Sequence, residues 1–379
     1  KTETISDDIN AMSLSKGVLT VKGGMTSHAA VIARGMGIPC IVGTRNVVFK
    51  EQEKKLILED GNVISEGDEI TIDGSTGAIY LEKVKLRPPE TTSTFSTLLQ
   101  WADEFCDIQI RANADTVEDA RVALFYEVDG IGLCRTEHMF TDSNRINLVR
   151  QMILTDSDKE RGSIIERLLP IQKEDFIDLF KEMSNLPVTI RLLDPPLHEF
   201  LPNSQQEIQR TANLMAITEQ QLADRIKGLS EFNPMLGTRG VRLGVMVPEI
   251  YDMQVQAIFL AAIEVFKKYK IVVNPEIMIP LISANKEVDL VRDRIRKVFS
   301  QLNKNNFVDL KYKLGVMVET PRAALRAGDI AKSCDFLSFG TNDLTQMTYG
   351  LSRDDSNRFM KEYIEKGLFS GDPFKTIDV

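Results

Sequence analysis

Two hydrophobic patterns divide the chain. Up to residue 84, short apolar runs of strand length are separated by turn pairs such as Asp60-Gly61 and Glu66-Gly67. The runs that we predict as strands are residues 40–43, 55–58, 63–64, 68–72 and 78–81. Residues 1–84 are therefore expected to form one small β-rich domain that swivels as a unit.

The composition changes after this region. Residues 87–94 read RPPETTST, a stretch without an apolar side chain that could enter a core. We predict an extended linker over residues 85–100, which acts as a hinge between residues 1–84 and a second domain at residues 101–379.

From Trp101 onwards, apolar runs of strand length alternate with amphipathic segments. Seven strands are predicted, at residues 108–113, 130–135, 187–191, 233–236, 275–280, 314–319 and 335–340. Helices are predicted at residues 116–126, 173–183, 248–268, 285–301 and 321–331, with an added helical excursion at residues 200–232.

This alternation indicates an α/β fold, a (β/α)8 TIM barrel that lacks its last strand. A doubly wound open sheet is the alternative. We expect the missing strand beyond Val379 and interpret the chain as a fragment.

The net charge and the cysteine positions limit the classes of partner and the environment that we expect for the protein. The formal net charge of −9 argues against a nucleic-acid partner. The four cysteines lie far apart and form no CxxC pair, which is typical of proteins in a reducing cytoplasm. No apolar run approaches the roughly 18 residues needed to span a bilayer, so no membrane partner is expected. An anionic substrate would have to meet arginines that cluster locally.

The first candidate site is His28. Gly23 and Gly24 allow a tight turn, and Thr26 or Ser27 can cap a helix whose first turn carries the histidine. Unpaired N–H groups at a helix start attract phosphate and disfavour a charged imidazole. We therefore predict a neutral, nucleophilic His28 that carries a phosphoryl group, with a structural histidine after a glycine turn as the alternative.

The second candidate site lies at the ends of the predicted strands, where active sites of (β/α)8 barrels form. Arg135, Arg191 and Arg239 can converge on one compact phospho-acid, because guanidinium groups bind phosphate and carboxylate oxygens in pairs. Glu319 and Asp343 are suited to hold a Mg²⁺ that takes its other ligands from water and substrate. Ordinary ion pairs are the alternative for any single arginine.

Three further residues near strand ends are interpreted as structural or supporting. His138 and His198 follow the second and third predicted strands, and Cys134 precedes Arg135 within a strand.

Six long motifs carry a resemblance. They are residues 23–33 (GGMTSHAAVIA), 130–140 (GIGLCRTEHMF), 191–200 (RLLDPPLHEF), 233–243 (NPMLGTRGVRL), 318–325 (VETPRAAL) and 338–355 (SFGTNDLTQMTYGLSRDD). With them the chain resembles, over nearly its whole length, the pyruvate phosphate dikinases of the family of enzymes that use phosphoenolpyruvate (PEP). The resemblance covers a phosphohistidine domain and most of a PEP/pyruvate barrel.

The resemblance implies roles for individual residues. His28 would be the phosphoryl carrier, and the three arginines would hold the phosphate and carboxylate of PEP. Glu319 and Asp343 would bind Mg²⁺, and the residues implied to line the substrate are Gly340, Thr341 and Asn342. Thr26 matches a threonine that a regulatory kinase and phosphatase modify in plant-type members.

The implied enzyme is a phosphotransferase that interconverts pyruvate and PEP: ATP + phosphate + pyruvate ⇌ AMP + diphosphate + PEP. Its ATP-grasp domain would precede Lys1, and its proton-donating cysteine would lie beyond Val379. We therefore expect that the fragment alone does not run the full reaction. Members of this family commonly form homodimers through the barrel.

Two related activities share these domains, PEP synthase and enzyme I, the PEP-protein phosphotransferase of sugar uptake. Residues 133–138 (LCRTEH) and 194–198 (DPPLH) resemble the dikinases rather than either of these. A non-catalytic regulatory fragment that only binds PEP is an alternative of a different class. It predicts the loss of His28 or of the site carboxylates, all of which are present.

Overall fold

The computed structural model describes residues 12, 15–22, 28–35, 37–44, 47–50, 53–85, 93–140, 145–231, 233–306, 310–356 and 359–375. The chain divides into two compact units, Lys1–Phe105 and Cys106–Val379. Over the described residues, no helix is both long enough and apolar enough to cross a membrane.

The first unit is rich in short strands. β1 (Val18–Leu19) pairs in parallel with β2 (Cys40–Ile41), and helix α1 (His28–Gly35) connects them. Two antiparallel groups follow, β3 (Val48–Lys50) with β4 (Lys55–Ile57) and β5 (Val63–Ser65), then the hairpin of β6 (Thr71–Asp73) and β7 (Ala78–Tyr80). The predicted β-rich character is confirmed.

Helix α2 (Ser93–Phe105) occupies much of the predicted linker. The prediction of an extended backbone over residues 85–100 is therefore wrong from Ser93 onwards, while residues 86–92 lie outside the described part. Apolar residues recur at helical spacing in this segment, at Phe95, Leu98, Leu99 and Ala102. The polar stretch before them led to the prediction of an extended backbone.

Over its described residues, the second unit is built on six parallel strands that neighbour one another in chain order. They are β8 (Ala112–Asn113), β9 (Ile131–Arg135), β10 (Val188–Arg191), β11 (Pro275–Ile279), β12 (Lys313–Val318) and β13 (Phe336–Phe339). Because this order contains no reversal, the described sheet has no switch point of the doubly wound kind.

Helices lie between consecutive strands of the sheet, and the last three of those named here follow β13. They are α3 (Val117–Phe125), α4 (Arg145–Leu154), α5 (Asp158–Glu182), α6 (Gln205–Met215), α7 (Glu219–Leu229), α8 (Val241–Met246), α9 (Pro248–Tyr269), α10 (Asn285–Asn306), α11 (Pro321–Leu325), α12 (Ala327–Ile330), α13 (Thr341–Tyr349), α14 (Arg353–Ser356) and α15 (Met360–Glu365). The predicted helical excursion contains α6 and α7.

One predicted strand is absent from the described residues. Residues 233–236 contain the 3-10 helix Pro234–Leu236, in which the Leu236 N–H donates to the Asn233 carbonyl. Pro234 has no N–H for a strand ladder, and the Leu236 side chain is exposed rather than buried. The α/β class is confirmed, with six parallel strands in the described part of the chain where seven were predicted.

The core of the second unit lies between the sheet and its helices. Strands β10 and β11 are buried along their whole length, as is typical of parallel strands covered by helices. The long helices α5 and α9 bury Phe176, Phe180 and Phe259. This packing holds the carboxyl ends of the strands in fixed positions, so the side chains that follow them are also fixed.

Candidate active site

The predicted site residues of the second unit gather at the carboxyl ends of its strands. Arg135 and Arg191 are the last residues of β9 and β10 and are register partners. Glu319 follows β12 directly. Gly340 follows β13 and precedes α13, which begins at Thr341.

Arg239 reaches the same region by another route. The strand that was expected to carry it is absent, and Arg239 lies in the loop before α8. Its Nη2 is 2.6 Å from Asp194 Oδ2, and its Nη1 is 3.0 Å from Asp343 Oδ1. The Arg239 guanidinium therefore reaches the site from a loop, and not from the end of a strand as predicted.

Asp194 joins two of the arginines. Its buried carboxylate accepts hydrogen bonds from Arg239 and lies 3.1 Å from Nη1 of Arg191. Asp194 is not among the predicted site residues, and its position between two guanidinium groups was not predicted. Asp194 therefore links Arg191 to Arg239 at this point of the site.

Arg191 lies at the centre of the site and is almost fully buried. Its Nη2 donates to Glu137 Oε1 at 2.5 Å, and its Nη1 is 3.7 Å from Glu319 Oε1. Among the described residues, Arg191 Nε and Glu137 Oε2 are buried without a hydrogen-bond partner. Because buried polar atoms are nearly always paired, this unpaired donor and acceptor differ from a network that is satisfied within the chain.

Glu319 is held without being neutralised. Its side chain is 1% exposed, and its carboxylate accepts a hydrogen bond from the Leu281 N–H at 2.9 Å. Burial raises the pKa of Glu319, and the nearby charge of Asp194 raises it further. This carboxyl group therefore has a surplus of negative surroundings that a bound cation would relieve.

Backbone geometry makes room for Glu319. A Cβ atom on Gly340 would lie 2.4 Å from Glu319 Cγ, so only glycine fits there. Leu281 adopts a left-handed backbone with φ of 52°, which is rare for a residue with a branched side chain. Gly340 was predicted to line a substrate, and in the structure it is packed against a candidate metal ligand.

The donor set fits a hard divalent cation. Asp343 lies in the first turn of α13, and its charge contributes to the raised pKa of Glu319, so the two carboxylates are near each other. Over the described residues, no three His, Cys, Asp or Glu side chains converge to enclose a metal. Two carboxylates are nevertheless enough for Mg²⁺, which usually keeps water and substrate ligands.

Asn342 has a partner that was not predicted. Arg353 Nη1 donates to Asn342 Oδ1 at 3.0 Å, and the Arg353 N–H donates to Gln346 of helix α13. Arg353 lies within the motif at residues 338–355, which could have indicated it.

Arg135 is anchored by a second carboxylate missed in the sequence. Asp115, two residues after β8, accepts from the backbone N–H, Nε and Nη2 of Arg135 at 2.7, 2.9 and 2.6 Å. His138 Nδ1 is 2.9 Å from the same carboxylate. Burial alone would raise the pKa of Asp115, but these hydrogen bonds outweigh it and lower that pKa to about 2. The position of Asp115 just after a predicted strand could have indicated that it belongs to the site.

Helix α9 supports the segment between Arg191 and Asp194. The Tyr251 hydroxyl donates to the Leu193 carbonyl at 3.0 Å, and the Leu193 N–H donates to Gln254 Oε1 at 2.8 Å. Both side chains are fully buried. They fix the peptide next to Asp194 from behind the sheet.

The remaining predicted residues are placed as follows. Helix α1 begins at His28, so the predicted helix is present with His28 in its first turn. Thr26 lies outside the described residues. Cys134 is buried in β9, which raises the pKa of its thiol, and His198 lies in the 3-10 helix Leu197–Phe200.

Two family models match the chain. The PEP-binding domain of PEP-utilising enzymes matches residues 89–367, and the mobile domain of PEP-utilising enzymes matches residues 1–77.

Curated relatives named pyruvate, phosphate dikinase align over almost the whole chain. The protein of Rickettsia prowazekii is 49% identical over 99% of this chain and 43% of its own length. The protein of Rhizobium meliloti is 47% identical over 100% of the chain and 42% of its own length. The chloroplastic protein of Arabidopsis thaliana is 46% identical over 100% of the chain and 39% of its own length.

The chain thus spans less than half the length of these relatives. The PEP-binding model alone covers most of the chain, including each of the arginine and carboxylate residues described above. The chain belongs to the family of PEP-utilising enzymes.

Proposed function

We propose that this chain supplies the phosphohistidine carrier and the PEP/pyruvate site of a pyruvate phosphate dikinase. The observation that carries the proposal is the cluster of Arg191, Arg239, Asp194, Glu319 and Asp343 at the carboxyl end of the sheet. Positive and negative groups lie side by side there, as a ligand with two anionic ends and a bound cation would require.

The arginines would bind and orient PEP. Arg191 offers a buried Nε that has no partner among the described residues. Arg135 and Arg239 are tied to aspartates, which hold their guanidinium planes in place. A preorganised cation of this kind stabilises charge that develops on transfer without having to rearrange.

Glu319 and Asp343 would hold the Mg²⁺ of the reaction. A bound divalent cation supplies positive charge to the enolate oxygen of pyruvate. The raised pKa of Glu319 supports this assignment, because a carboxylate in such surroundings gains most from a cation. Thr341 and Asn342, at the start of α13, would line the substrate beside it, next to Gly340.

His28 would accept the phosphoryl group. A ring nitrogen forms a bond to phosphorus, the bond between phosphorus and the enol oxygen of PEP breaks, and the enolate of pyruvate leaves. The methylene carbon of the enolate then takes one proton from solvent water, which gives pyruvate. The helix that begins at His28 supports the assignment, because N–H groups at a helix start favour a bound phosphate. Thr26, two residues earlier, would be the position of regulatory phosphorylation.

The wider assembly is proposed on the same basis. We infer that the six parallel strands belong to a (β/α)8 barrel, since they follow one another around the sheet without reversal. The dikinase relatives are more than twice as long as this chain, which leaves room for an ATP-grasp domain that phosphorylates His28 from ATP. A homodimer through the barrel and a cytoplasmic location remain predictions, as do the domain limits at residues 84 and 101.

PEP synthase and enzyme I would use the same carrier and the same barrel residues. The names of the aligned relatives favour the dikinase. A non-catalytic PEP-binding fragment is disfavoured because no carboxylate or arginine of the site is missing.

The test is transfer of one phosphoryl group from PEP. The chain is incubated with PEP and Mg²⁺, and intact mass is measured at neutral pH and after mild acid. We expect one acid-labile phosphoryl group, which is absent in His28→Ala and retained in His198→Ala. A gain of mass that persists in His28→Ala would overturn His28 as the carrier, and no gain in the unsubstituted chain would contradict the proposed transfer.

A further inference from the structure

One buried carboxylate at the carboxyl end of the sheet holds an arginine and a histidine together. Asp115 accepts three hydrogen bonds from Arg135, and Nδ1 of His138 lies 2.9 Å from the same Oδ2 atom. The Asp115 side chain is 6% exposed, whereas those of Arg135 and His138 are 39% and 47% exposed. The two cationic groups therefore face outward over a buried counter-charge.

This trio is fastened beside Arg191. His138 lies in the 3-10 helix Thr136–Phe140, which follows β9. The Thr136 hydroxyl donates to the Arg191 carbonyl at 3.0 Å, and the neighbouring Glu137 pairs with the Arg191 guanidinium. His138 is therefore part of the same strand-end region as the predicted phosphate-binding arginines.

The charge of the trio depends on one proton. When His138 is neutral, Asp115 cancels the charge of Arg135, and when His138 is protonated the trio carries one net positive charge. Among the described residues, Glu137 is the other carboxylate close to the ring, and it pairs with Arg191. From helix α4, Arg145 pairs with Asp175 and Arg150 with Glu207, so their charges are balanced elsewhere.

We propose that His138 is a further anion-binding residue of the PEP site, whose protonated ring adds its charge to that of Arg135 on the phosphate group of the ligand. The proposal rests on the proposed function, since the ligand class is a phosphate monoester held by Arg135. Asp115 is the positioning residue that keeps both cations together.

Binding and protonation must then be linked. The hydrogen bond to Asp115 raises the pKa of His138, so the ring keeps its proton to a higher pH than an ordinary histidine. A dianion that prefers the protonated ring raises the pKa of His138 again when it binds, because linkage is reciprocal. A preference of about tenfold corresponds to a rise of about one pH unit.

The chain is well suited to a direct measurement because it contains three histidines. In a His28→Ala background, which prevents phosphoryl transfer under the proposed function, proton NMR follows the Cε1 protons of His138 and His198 from pH 5 to 9. The titration is recorded with Mg²⁺ alone and with Mg²⁺ and PEP. His138→Asn assigns the resonances.

We expect PEP to raise the titration midpoint of His138 by about one pH unit. The titration midpoint of His198 should shift by only a small fraction of that amount. Calorimetric titrations give the ratio of PEP affinities at pH 6 and pH 8. This ratio should be about tenfold larger in the His28→Ala chain than in the chain that carries both His28→Ala and His138→Asn. Titration of PEP itself is common to both and cancels. Asp115→Asn should move the dependence to lower pH.

The outcomes separate the two proposals. PEP binding with an unmoved His138 midpoint, or with equal pH dependence after His138→Asn, would overturn this inference and leave the proposed function intact. Failure of PEP to bind at any pH would overturn both.

Discussion

The two ends of the six-stranded sheet both bury charged side chains, but they balance them differently. At the amino end, Glu276 accepts from Arg111 and Thr189 on one oxygen and from Lys313 on the other. Burial alone would raise the pKa of Glu276, yet these partners outweigh it and lower the pKa. At the carboxyl end, the pKa of Glu319 is raised, because burial and neighbouring carboxylates both act against its charge.

We interpret this difference as that between a structural network and the proposed binding site. Both oxygens of Glu276 are paired within the chain. At the carboxyl end, Arg191 Nε and Glu137 Oε2 are buried and unpaired among the described residues. A network whose polar atoms are all paired within the chain stabilises the fold. We expect a network with unpaired donors and unbalanced charge to be completed by a ligand.

The largest expected effect on the phosphorylation rate comes from a glutamate-to-glutamine substitution, which can be made at either end of the sheet. Glu319→Gln should slow PEP-dependent phosphorylation of the chain by about 100-fold or more, because a candidate metal ligand loses its charge. Its free energy of unfolding should not fall, since the fold disfavours that charge. Quench-flow phosphorylation and urea unfolding provide the two readouts.

Glu276→Gln is the matched control for that pair. It should lower the free energy of unfolding by about 3 kcal/mol, because Arg111 and Lys313 lose their shared counter-charge. The rate of phosphorylation of the folded protein should be unchanged. Reversed results for the two variants would eliminate the distinction between the two ends.

A backbone substitution tests the fit of Glu319 more narrowly. Gly340→Ala places a methyl group 2.4 Å from Glu319 Cγ, so the carboxylate must move. We expect a loss of up to about 100-fold in phosphorylation rate, as is typical of small displacements of catalytic groups. Gly328→Ala adds the same methyl group in open space and should have no effect on the rate.

Acid unfolding tests the anchor of Arg135. Because the folded pKa of Asp115 is lowered to about 2, its contribution to stability is present above its ordinary pKa near 3.9 and is lost as pH falls through 2. Asp115→Asn should therefore be less stable than the unsubstituted chain by about 2 kcal/mol at pH 6. The two unfolding free energies should converge between about pH 4 and pH 2, and a constant gap would contradict the assignment.

The smallest expected effect concerns support from helix α9. Tyr251→Phe removes the hydrogen bond to the Leu193 carbonyl, which should cost about 1 kcal/mol and slow phosphorylation about fivefold. Tyr312→Phe is the matched control, because Tyr312 bonds Arg296 away from the carboxyl ends of the strands. Equal rates for the two variants would show that Tyr251 acts on stability alone.

The sequence was sufficient to predict most of the strand-end residues. Arg135, Arg191 and Glu319 directly follow apolar runs, and a parallel sheet brings the ends of such runs together. The prediction failed where local composition misled. Pro234 and Leu236 suggested a strand, although proline cannot take part in the ladder, and the polar residues before Ser93 obscured the start of α2.

Residues that act through distant partners could not be predicted in this way. Asp115 meets Arg135 across 20 positions, Tyr251 meets Leu193 across 58, and Arg111 meets Glu276 across 165. A pattern within a window of the chain contains no record of such pairs, since only the folded sheet brings them together.

Hydrogen–deuterium exchange of the chain, with and without PEP and Mg²⁺, tests most directly whether the carboxyl end of the sheet is the ligand-binding end. We predict slower exchange at residues 135–140, 191–194, 281–283 and 340–346, which surround Arg191 and Glu319. Residues 109–113, 185–189, 274–276 and 311–313, around Glu276, should exchange at the same rate in both states. Protection at the amino end, or equal protection at both ends, would contradict the account.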